Sequence, residues 1–314
     1  MDRQYLPVRL AGTSYPRSAG KIRSFFRGFF PEKDGAPPFP DAGKHPGSFL
    51  AVLAPHIDFR VSTRSYALAY APWLAAPPAD HYVILGVGHH ARQEWSLDTR
   101  GYQTPLGTVP TWTEGIAALL DATPYPLLDD PRAHEGEHSV EFPLLCLQAF
   151  REWQGIQAPF TFLPLLCGGL HEELESGLPP GNKSPLSSLA AALRTLRAQS
   201  GSRVQLIVSI DGCHIGPRFQ HPYLVTPSVL AGCAEWEKGL WQSVEENDFA
   251  AFFDYLIVDQ NHRHFDGVGA LARFLRAFAP GCRLQRSGYE QWFEKSDRSA
   301  VTFSSGHWLL DPPL

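Results

Sequence analysis

The feature that most constrains this chain is a series of short apolar runs separated by segments of helical character. The runs span Ser48 to Ala54, His81 to Val87, Phe160 to Cys167 and Val204 to Ile210. Runs of this length, bounded by turn residues, are typical of buried strands. Buried strands that alternate with helices predict an α/β fold with a mainly parallel (mixed) central sheet flanked by helices.

Apolar residues at helical spacing and two later apolar runs predict the remaining elements. Helices are expected at Val61–Leu74, Thr113–Asp121, Ser139–Trp153, Leu186–Gln199, Val229–Gln242, Phe249–Leu256 and Val268–Phe278, with closing strands at Leu284–Phe293 and Ala300–Leu310. Two segments rich in proline and glycine, Pro31–Pro46 and Gly177–Pro185, are predicted to be loops. Neither requires a domain boundary, so we expect a single domain over residues 1–314.

Charge and cysteine content exclude several classes of protein. The net charge is −5 and no long basic run is present, which argues against nucleic-acid or membrane-surface binding through bulk charge. No stretch approaches the roughly 20 apolar residues of a membrane span, and Met1–Leu10 lacks the apolar core of a signal peptide. The five cysteines are odd in number and form no C-x-x-C pair, as expected of a reducing compartment. We therefore expect a cytoplasmic protein.

Histidines follow three of the four predicted buried strands. His56 ends the first, the pair His89 and His90 ends the second, and His214 follows the fourth. A parallel sheet brings the carboxyl ends of its strands to one edge, where ligands bind. Several converging imidazoles are typical of a site for Fe, Zn, Cu or Ni, so the sequence predicts a transition-metal site at this edge.

Two neighbouring pairs need separate interpretation. His89 and His90 are adjacent and cannot both point the same way in an extended segment, so one is expected to be a ligand. Cys213 beside His214 is poorly placed to be a nucleophile and its base for the same reason. We interpret Cys213 as a small buried residue.

The segment from His134 to His138 matches the H-E-x-x-H pattern of zinc metallopeptidases. That pattern needs a helix so that both histidines share one face. Gly136 lies inside the segment and Pro131 precedes it, so a loop that enters a helix is favoured instead. We therefore expect His134 to be a surface-loop residue, whereas a pocket role for His138 remains open.

Seven segments, taken in order along the chain, resemble the Memo family, also called AmmeMemoRadiSam system protein B. They are Ala11–Pro16 (AGTSYP), Ala54–His56 (APH), Ile84–His90 (ILGVGHH), Thr104–Gly107 (TPLG), Glu137–Glu141 (EHSVE), Ser209–Gly216 (SIDGCHIG) and Ala300–Leu310. The resemblance runs over nearly the whole chain. It implies a fold similar to that of the class III extradiol dioxygenases, in which histidines at strand ends surround a metal.

The resemblance also implies roles for individual residues. His56, His90 and His214 would line the metal site, and Asp211 would be a carboxylate beside it. Glu137 and His138 would flank the pocket. Either His214 or His138 could act as the acid or base of a reaction.

One departure from the family concerns a cysteine that completes its site. The family often has I-C-G before a late helix, whereas this chain reads DQNHRHFDG over Asp259–Gly267. We expect Asn261 at or near the place of the cysteine, with His262 either a substitute ligand or, like His264, a solvent-facing residue. An imidazole in place of a thiolate would shift the metal preference toward iron or zinc.

Three functions are consistent with these residues. The first is an oxidoreductase similar to the dioxygenases, with one transition-metal ion, expected to be Fe(II) with Zn or Cu as alternatives, acting on a small aromatic or redox-active substrate. The second is a non-catalytic scaffold that binds a peptide or ligand. The third is a zinc hydrolase that uses the same histidines to activate water. Whichever function holds, the family resemblance implies a radical-SAM system partner.

Overall fold

The computed structural model of this protein describes residues 4–30, 49–74, 76–123, 125–179, 181, 184–200, 203–279 and 281–311. The loop predicted at Pro31–Pro46 lies outside these residues. The other predicted loop is irregular at residues 177–179, and a helix begins at its last residue, Pro185.

The strands follow the predicted apolar runs closely. They are β1 (Tyr5–Pro7), β2 (Phe49–Ala54), β3 (His81–Val87), β4 (Trp95–Leu97), β5 (Gly101–Thr104), β6 (Gly107–Val109), β7 (Thr161–Cys167), β8 (Val204–Ser209), β9 (His214–Ile215), β10 (Cys282–Glu294) and β11 (Ser299–Leu310). The four buried runs became β2, β3, β7 and β8, and the two closing strands became β10 and β11.

The helices also lie close to their predicted positions. They are α1 (Ala19–Arg27), α2 (Arg64–Tyr70), α3 (Thr113–Ala122), α4 (His138–Gln154), α5 (His171–Ser176), α6 (Pro185–Ser200), α7 (Pro227–Glu245), α8 (Phe249–Asp259) and α9 (Val268–Phe278). The helix expected over Val61–Leu74 is shorter, because α2 begins at Arg64 and passes into a 3₁₀ turn at Ala71–Leu74.

The main sheet has the strand order β10-β11-β2-β8-β3-β7-β4, and β9 pairs with the start of β11. Its centre is parallel, since β2, β8, β3 and β7 run in one direction. The outer strands β4, β10 and β11 run antiparallel to their neighbours. The predicted fold class, a mixed α/β sheet flanked by helices, is confirmed.

Successive residues of the central strands point to opposite faces of the sheet, and each face has its own apolar cluster. Val52 packs with α2 and α4 on one face, whereas Leu53 packs with α6 and α9 on the other. Since both faces are buried, β2 is apolar at every position, and β8 is apolar except at Gln205 and Ser209. This layering fixes the carboxyl ends of β2, β8 and β3 at one edge of the sheet.

Candidate metal centre

The three central strands deliver polar side chains to a common edge. In the sheet β8 lies between β2 and β3, and all three are parallel. His56 lies two residues beyond β2, His89 two residues beyond β3, and Asp211 two residues beyond β8. The equal spacing explains why these residues meet. Adjacent parallel strands end at the same edge of the sheet, so residues that follow them at equal distances lie side by side.

Three imidazoles meet at this edge, and His138 at the start of α4 supplies the third. Each of His56, His89 and His138 offers a ring nitrogen within 4.8 Å of the others. The ring centroids of His89 and His138 lie 4.5 Å apart, and those of His56 and His138 lie 4.9 Å apart. We call these three residues the imidazole group. Their nitrogens are close enough to bind one metal ion together.

Two carboxylates contact the imidazole group from different sides. Asp266 lies between two of the rings, with Oδ2 3.2 Å from His56 Nε2 and Oδ1 3.3 Å from His89 Nε2. Glu137 accepts a hydrogen bond from His89 Nδ1 at 2.9 Å and lies 3.5 Å from His138 Nδ1. Glu137 also caps α4 by accepting from the backbone N–H of Ser139. One carboxylate therefore orients His89 while fixing the helix that carries His138.

Asp211 holds the backbone that carries His56. Its Oδ1 accepts from the backbone N–H groups of His56 at 3.0 Å and Ile57 at 3.1 Å. Its own N–H donates to Asp266 Oδ2 at 3.2 Å. Burial raises the pKa of Asp211, and the nearby His56 only partly offsets this. Asp211 is thus a positioning residue beside the group.

Burial, the carboxylates and the neighbouring imidazoles together set the protonation states of the group. Burial acts to lower the pKa of His89, but the hydrogen bonds to Asp266 and Glu137 outweigh it and raise that pKa to about 11. Burial acts to raise the pKa of Glu137, yet His89 lowers it to about 2. Burial, together with the neighbouring His56 and His89, lowers the pKa of His138 to about 3. Without a metal, the group is a protonated His89 between two carboxylates, beside a neutral His138.

One atom of the group has only a carboxylate beside it. His56 is 1% exposed, and its Nε2 lies 3.2 Å from Asp266 Oδ2 without good hydrogen-bond geometry. Its Nδ1 lies 3.3 Å from Ser209 Oγ, which fixes the ring. A buried polar atom that is poorly hydrogen-bonded costs free energy unless another group binds it. The donor set and this poorly satisfied nitrogen therefore fit a metal ion.

A cavity of about 810 Å³ opens onto the group and gives access to it. His56, His138, Asp211 and His214 line it together with aromatic side chains. Nδ1 of His214 donates to the carbonyl of Gly212 at 3.1 Å. Since β9 pairs with β11, His214 stands at the cavity wall, outside the imidazole group.

Besides His214, two histidines expected as ligands lie outside the group. His90 is exposed, and the structure brings its neighbour His89 into the group instead, because adjacent residues point in different directions. His262 is also exposed and lines a separate cavity of about 670 Å³ together with His221 and His264. Its carbonyl accepts from His221 Nε2 at 2.6 Å.

The sequence did not identify Asp266 as a site residue. Asn261 was expected near the place of the family cysteine, but it has a positive φ of 51° and forms a turn, with Oδ1 accepting from the N–H of Phe265. The turn delivers Asp266 to the group, and Asp266–Gly267 directly precedes α9. This Asp-Gly pair before the helix resembles the Cys-Gly of the family motif described above. The glycine just before the apolar helix was the signal that could have identified it.

The H-E-x-x-H lookalike is not a helical zinc motif. His134 ends a 3₁₀ turn and Gly136 has a φ of 83°, so His134 and His138 share no helix face. The expectation of a surface residue is wrong, however, because His134 is 0% exposed and its Nε2 lies 3.1 Å from Ser96 Oγ. Burial lowers the pKa of His134 to about 4.

Comparison with known proteins places this arrangement in a family. The profile of the family described as Memo-like protein matches residues 7–305. A MEMO1 family protein of Thermus thermophilus is 27% identical over 271 residues, which cover 86% of this chain and 72% of that protein. A MEMO1 family protein of Aquifex aeolicus is 25% identical over 222 residues, which cover 69% of this chain and 51% of that protein.

A solved structure of an uncharacterized protein from Escherichia coli K12 is similar with a TM-score of 0.40 and 13% identity, over 73% of this chain and 88% of that one. Within the part of the chain that the structure describes, no helix has both the length and the apolar character to cross a membrane. The match over residues 7–305 shows that the chain belongs to the Memo-like protein family.

Proposed function

We propose that this protein is a metal-dependent oxidoreductase similar to the non-haem iron dioxygenases. The observation that carries the proposal is the placement of Asp266, whose two carboxylate oxygens lie 3.2 Å from His56 Nε2 and 3.3 Å from His89 Nε2. Two imidazoles and one carboxylate, with further positions open, are typical of non-haem Fe(II) oxygenases. A bound Fe(II) would supply the dioxygen chemistry.

The surrounding residues support metal binding at these atoms. Metal-ligating histidines usually have the second ring nitrogen held by a carboxylate or another polar group. His89 Nδ1 is held by Glu137, and His56 Nδ1 lies beside the hydroxyl of Ser209. In each ring Nε2 is thereby left for the metal. His138, which is neutral because its pKa is lowered to about 3, could provide a third imidazole.

His214 is the better placed of the two predicted acid–base residues. Its Nδ1–H donates to the Gly212 carbonyl, so in the neutral ring Nε2 carries a lone pair and can accept a proton. It lines the cavity, where a substrate would lie. His138 is a poor base because its lowered pKa disfavours the protonated form. We therefore assign proton transfer to His214 and metal binding to His138.

The cavity favours a small aromatic substrate. A volume of about 810 Å³ is within the range of small-molecule sites. Phe142, Phe219 and Trp292 contribute aromatic walls. The guanidinium of Arg218 lies 5.3 Å from the ring centroid of Trp292 and holds it in place. Flat aromatic surfaces opposite polar ligands suit a ring that carries hydroxyl groups.

The test is oxygen consumption with a panel of catechols after anaerobic loading with Fe(II). We expect substrate-dependent consumption with the wild type and its loss in His89→Ala. His90→Ala is the matched control, because it removes an imidazole from the adjacent exposed position, and it should retain activity. No consumption with any catechol, or equal activity in both variants, would contradict the proposal.

A second candidate function, zinc-dependent hydrolysis, is favoured by the three imidazoles themselves. Three histidines with an open position for water are typical of some catalytic zinc sites. Elemental analysis of protein purified without chelator separates the two candidates. Iron in the wild type and its absence in His56→Ala supports oxygenation, whereas zinc with the same dependence supports hydrolysis.

A further inference from the structure

A second group of metal-ligating side chains lies behind the loop that follows β8. Cys213, Cys233 and Glu237 each offer a ligand atom within 4.8 Å of the others, and all three are buried. We call these residues the thiol group. It shares no residue with the imidazole group.

The fold holds the thiol group rigidly from two sides. Cys233 and Glu237 are four residues apart on α7, so they lie on the same face of that helix. Cys213 is fixed by backbone pairing, since its N–H donates to Thr302 Oγ1 at 2.7 Å and its carbonyl accepts from the N–H of Thr302 at 3.0 Å. The ligand atoms are therefore brought together before any ion binds.

Glu237 is oriented by hydroxyl groups. Its Oε1 accepts from Thr302 Oγ1 at 2.7 Å and its Oε2 accepts from Tyr289 OH at 2.8 Å. Hydrogen bonds of this kind commonly fix the carboxylates that bind metals. Gly212 leaves no room for a side chain against Glu237 and Thr302, which keeps the loop backbone close to the carboxylate.

An ion could reach the thiol group through a cavity. Cys233, Gly232 and Tyr223 line the cavity of about 670 Å³ that also contains His262. Cys213 lies deeper and is 0% exposed. This arrangement gives the group an entry path on one side and a closed wall on the other.

We propose that Cys213, Cys233 and Glu237 form a second site, which binds one thiophilic divalent cation such as Zn²⁺ or Cd²⁺. Two sulfur ligands and one carboxylate are a soft set that favours such ions over iron. On binding, each thiol loses its proton to solvent and forms a sulfur–metal bond, with no change of oxidation state. Its ligands are distinct from those of the proposed oxygenase site.

The position of the thiol group suggests a structural role. Cys213 lies between Asp211 and His214 and forms a β-bridge with Phe265, the neighbour of Asp266. A cation bound to Cys213 would fix both segments that lead into the imidazole group. Structural zinc sites commonly have four protein ligands, so a solvent molecule from the cavity would complete the tetrahedral shell of a cation held by these three.

Cadmium titration of the full-length protein in a thiol-free reductant tests the proposal, because thiolate-to-cadmium charge transfer gives an ultraviolet band that imidazoles cannot produce. We expect saturation at one Cd²⁺ per chain. Cys213→Ser and Cys233→Ser should each weaken this binding by at least about 10- to 100-fold. Glu237→Gln should retain the band with weaker affinity. Cys146→Ala and Cys282→Ala, which remove buried thiols elsewhere, are the matched controls and should bind normally.

Two further measurements keep the proposal testable if a cysteine variant does not fold. Cadmium X-ray absorption of the wild type should show two sulfur neighbours, and the charge-transfer band should persist in His56→Ala. A coordination shell of nitrogen and oxygen alone, a missing band in the wild type, or a band retained in both folded serine variants would overturn the proposal.

Discussion

The imidazole group and the thiol group lie on either side of one short loop, residues 211–214, yet they differ in chemistry and in access. The imidazole group opens to a cavity of about 810 Å³, and the side chain of His138 is 38% exposed. Every member of the thiol group is at most 3% exposed. Nitrogen and carboxylate ligands with open positions suit a reactive metal, whereas enclosed sulfur ligands suit a structural ion. One loop can thus support two sites with different tasks.

The largest effect that separates the groups should come from His56→Ala. This substitution removes the buried Nε2 that lies 3.2 Å from Asp266 Oδ2 and leaves the thiol group intact. We expect iron affinity to fall by more than about 100-fold, since a direct ligand is lost, while the cadmium–thiolate band stays unchanged. Parallel titrations with Fe(II) and Cd²⁺ measure both. If the folded variant lost both Fe(II) binding and the cadmium–thiolate band, the two groups would not be separate sites.

His134 is a buried histidine outside both groups. Comparing it with His89 tests how far the carboxylates raise the pKa of a buried histidine. Burial lowers the pKa of His134 to about 4, below the usual value near 6.5 of an unfolded chain. The unfolded chain therefore binds the proton first, so this stability is present above pH 6.5 and is lost as the pH falls toward 4. The loss should reach about 3 kcal/mol.

Urea unfolding of wild type and His134→Gln between pH 7 and 4.5 measures this contribution. The unfolding free energy of the variant should fall less on acidification. Its slope against pH should be smaller by, at most, the amount that corresponds to one bound proton. Equal slopes would show that His134 is not neutral in the folded protein. The contrast with His89, whose carboxylate partners raise its pKa to about 11, would then fail.

A smaller effect is expected from Asp266, the carboxylate that touches two imidazoles. Asp266→Asn keeps the shape but removes the charge, so Fe(II) affinity should fall by about 10- to 100-fold. Asp266→Cys should shift the preference toward soft ions, because it introduces a thiolate. Competition between Fe(II) and Cd²⁺ in the three proteins gives the answer. Unchanged iron affinity in Asp266→Asn would remove this residue from the site.

The smallest effects should come from His90→Ala and His262→Ala. Both side chains lie outside the imidazole group, and both residues are exposed. Iron affinity should change by less than about twofold, as is usual for surface substitutions. A tenfold loss in His262→Ala would restore the sequence-based expectation that this residue replaces the family cysteine, and would require the loop after α8 to move on metal binding.

Sequence patterns predicted the sheet better than they predicted the site. Strands buried on both faces are apolar at most positions, so β2, β3, β7 and β8 were identifiable. The small sheet of β1, β5 and β6 was missed, because its strands have only three or four residues. Helix α1 was missed as well. Strand-end histidines indicated the correct edge, and His56 was placed there from its position alone.

The finer details of the site depend on tertiary structure. His89 and His90 occur in the same motif, so the motif does not show which of them is the ligand. The direction of the turn after β3 decides which imidazole enters the group. Asp266 is 55 residues from Asp211, and the two meet because the turn around Asn261 folds back onto the loop after β8. No pattern in the local sequence predicts that contact. The thiol group was hidden for the same reason, since Cys213 and Cys233 meet only in the folded chain.

The most direct test of the account is a crystal structure of protein loaded anaerobically with Fe(II), with anomalous diffraction measured at the iron edge. The account predicts one peak within bonding distance of His56 Nε2, His89 Nε2 and an Asp266 oxygen. A peak in the cavity lined by His262, or no ordered iron in protein that is saturated with Fe(II), would contradict it.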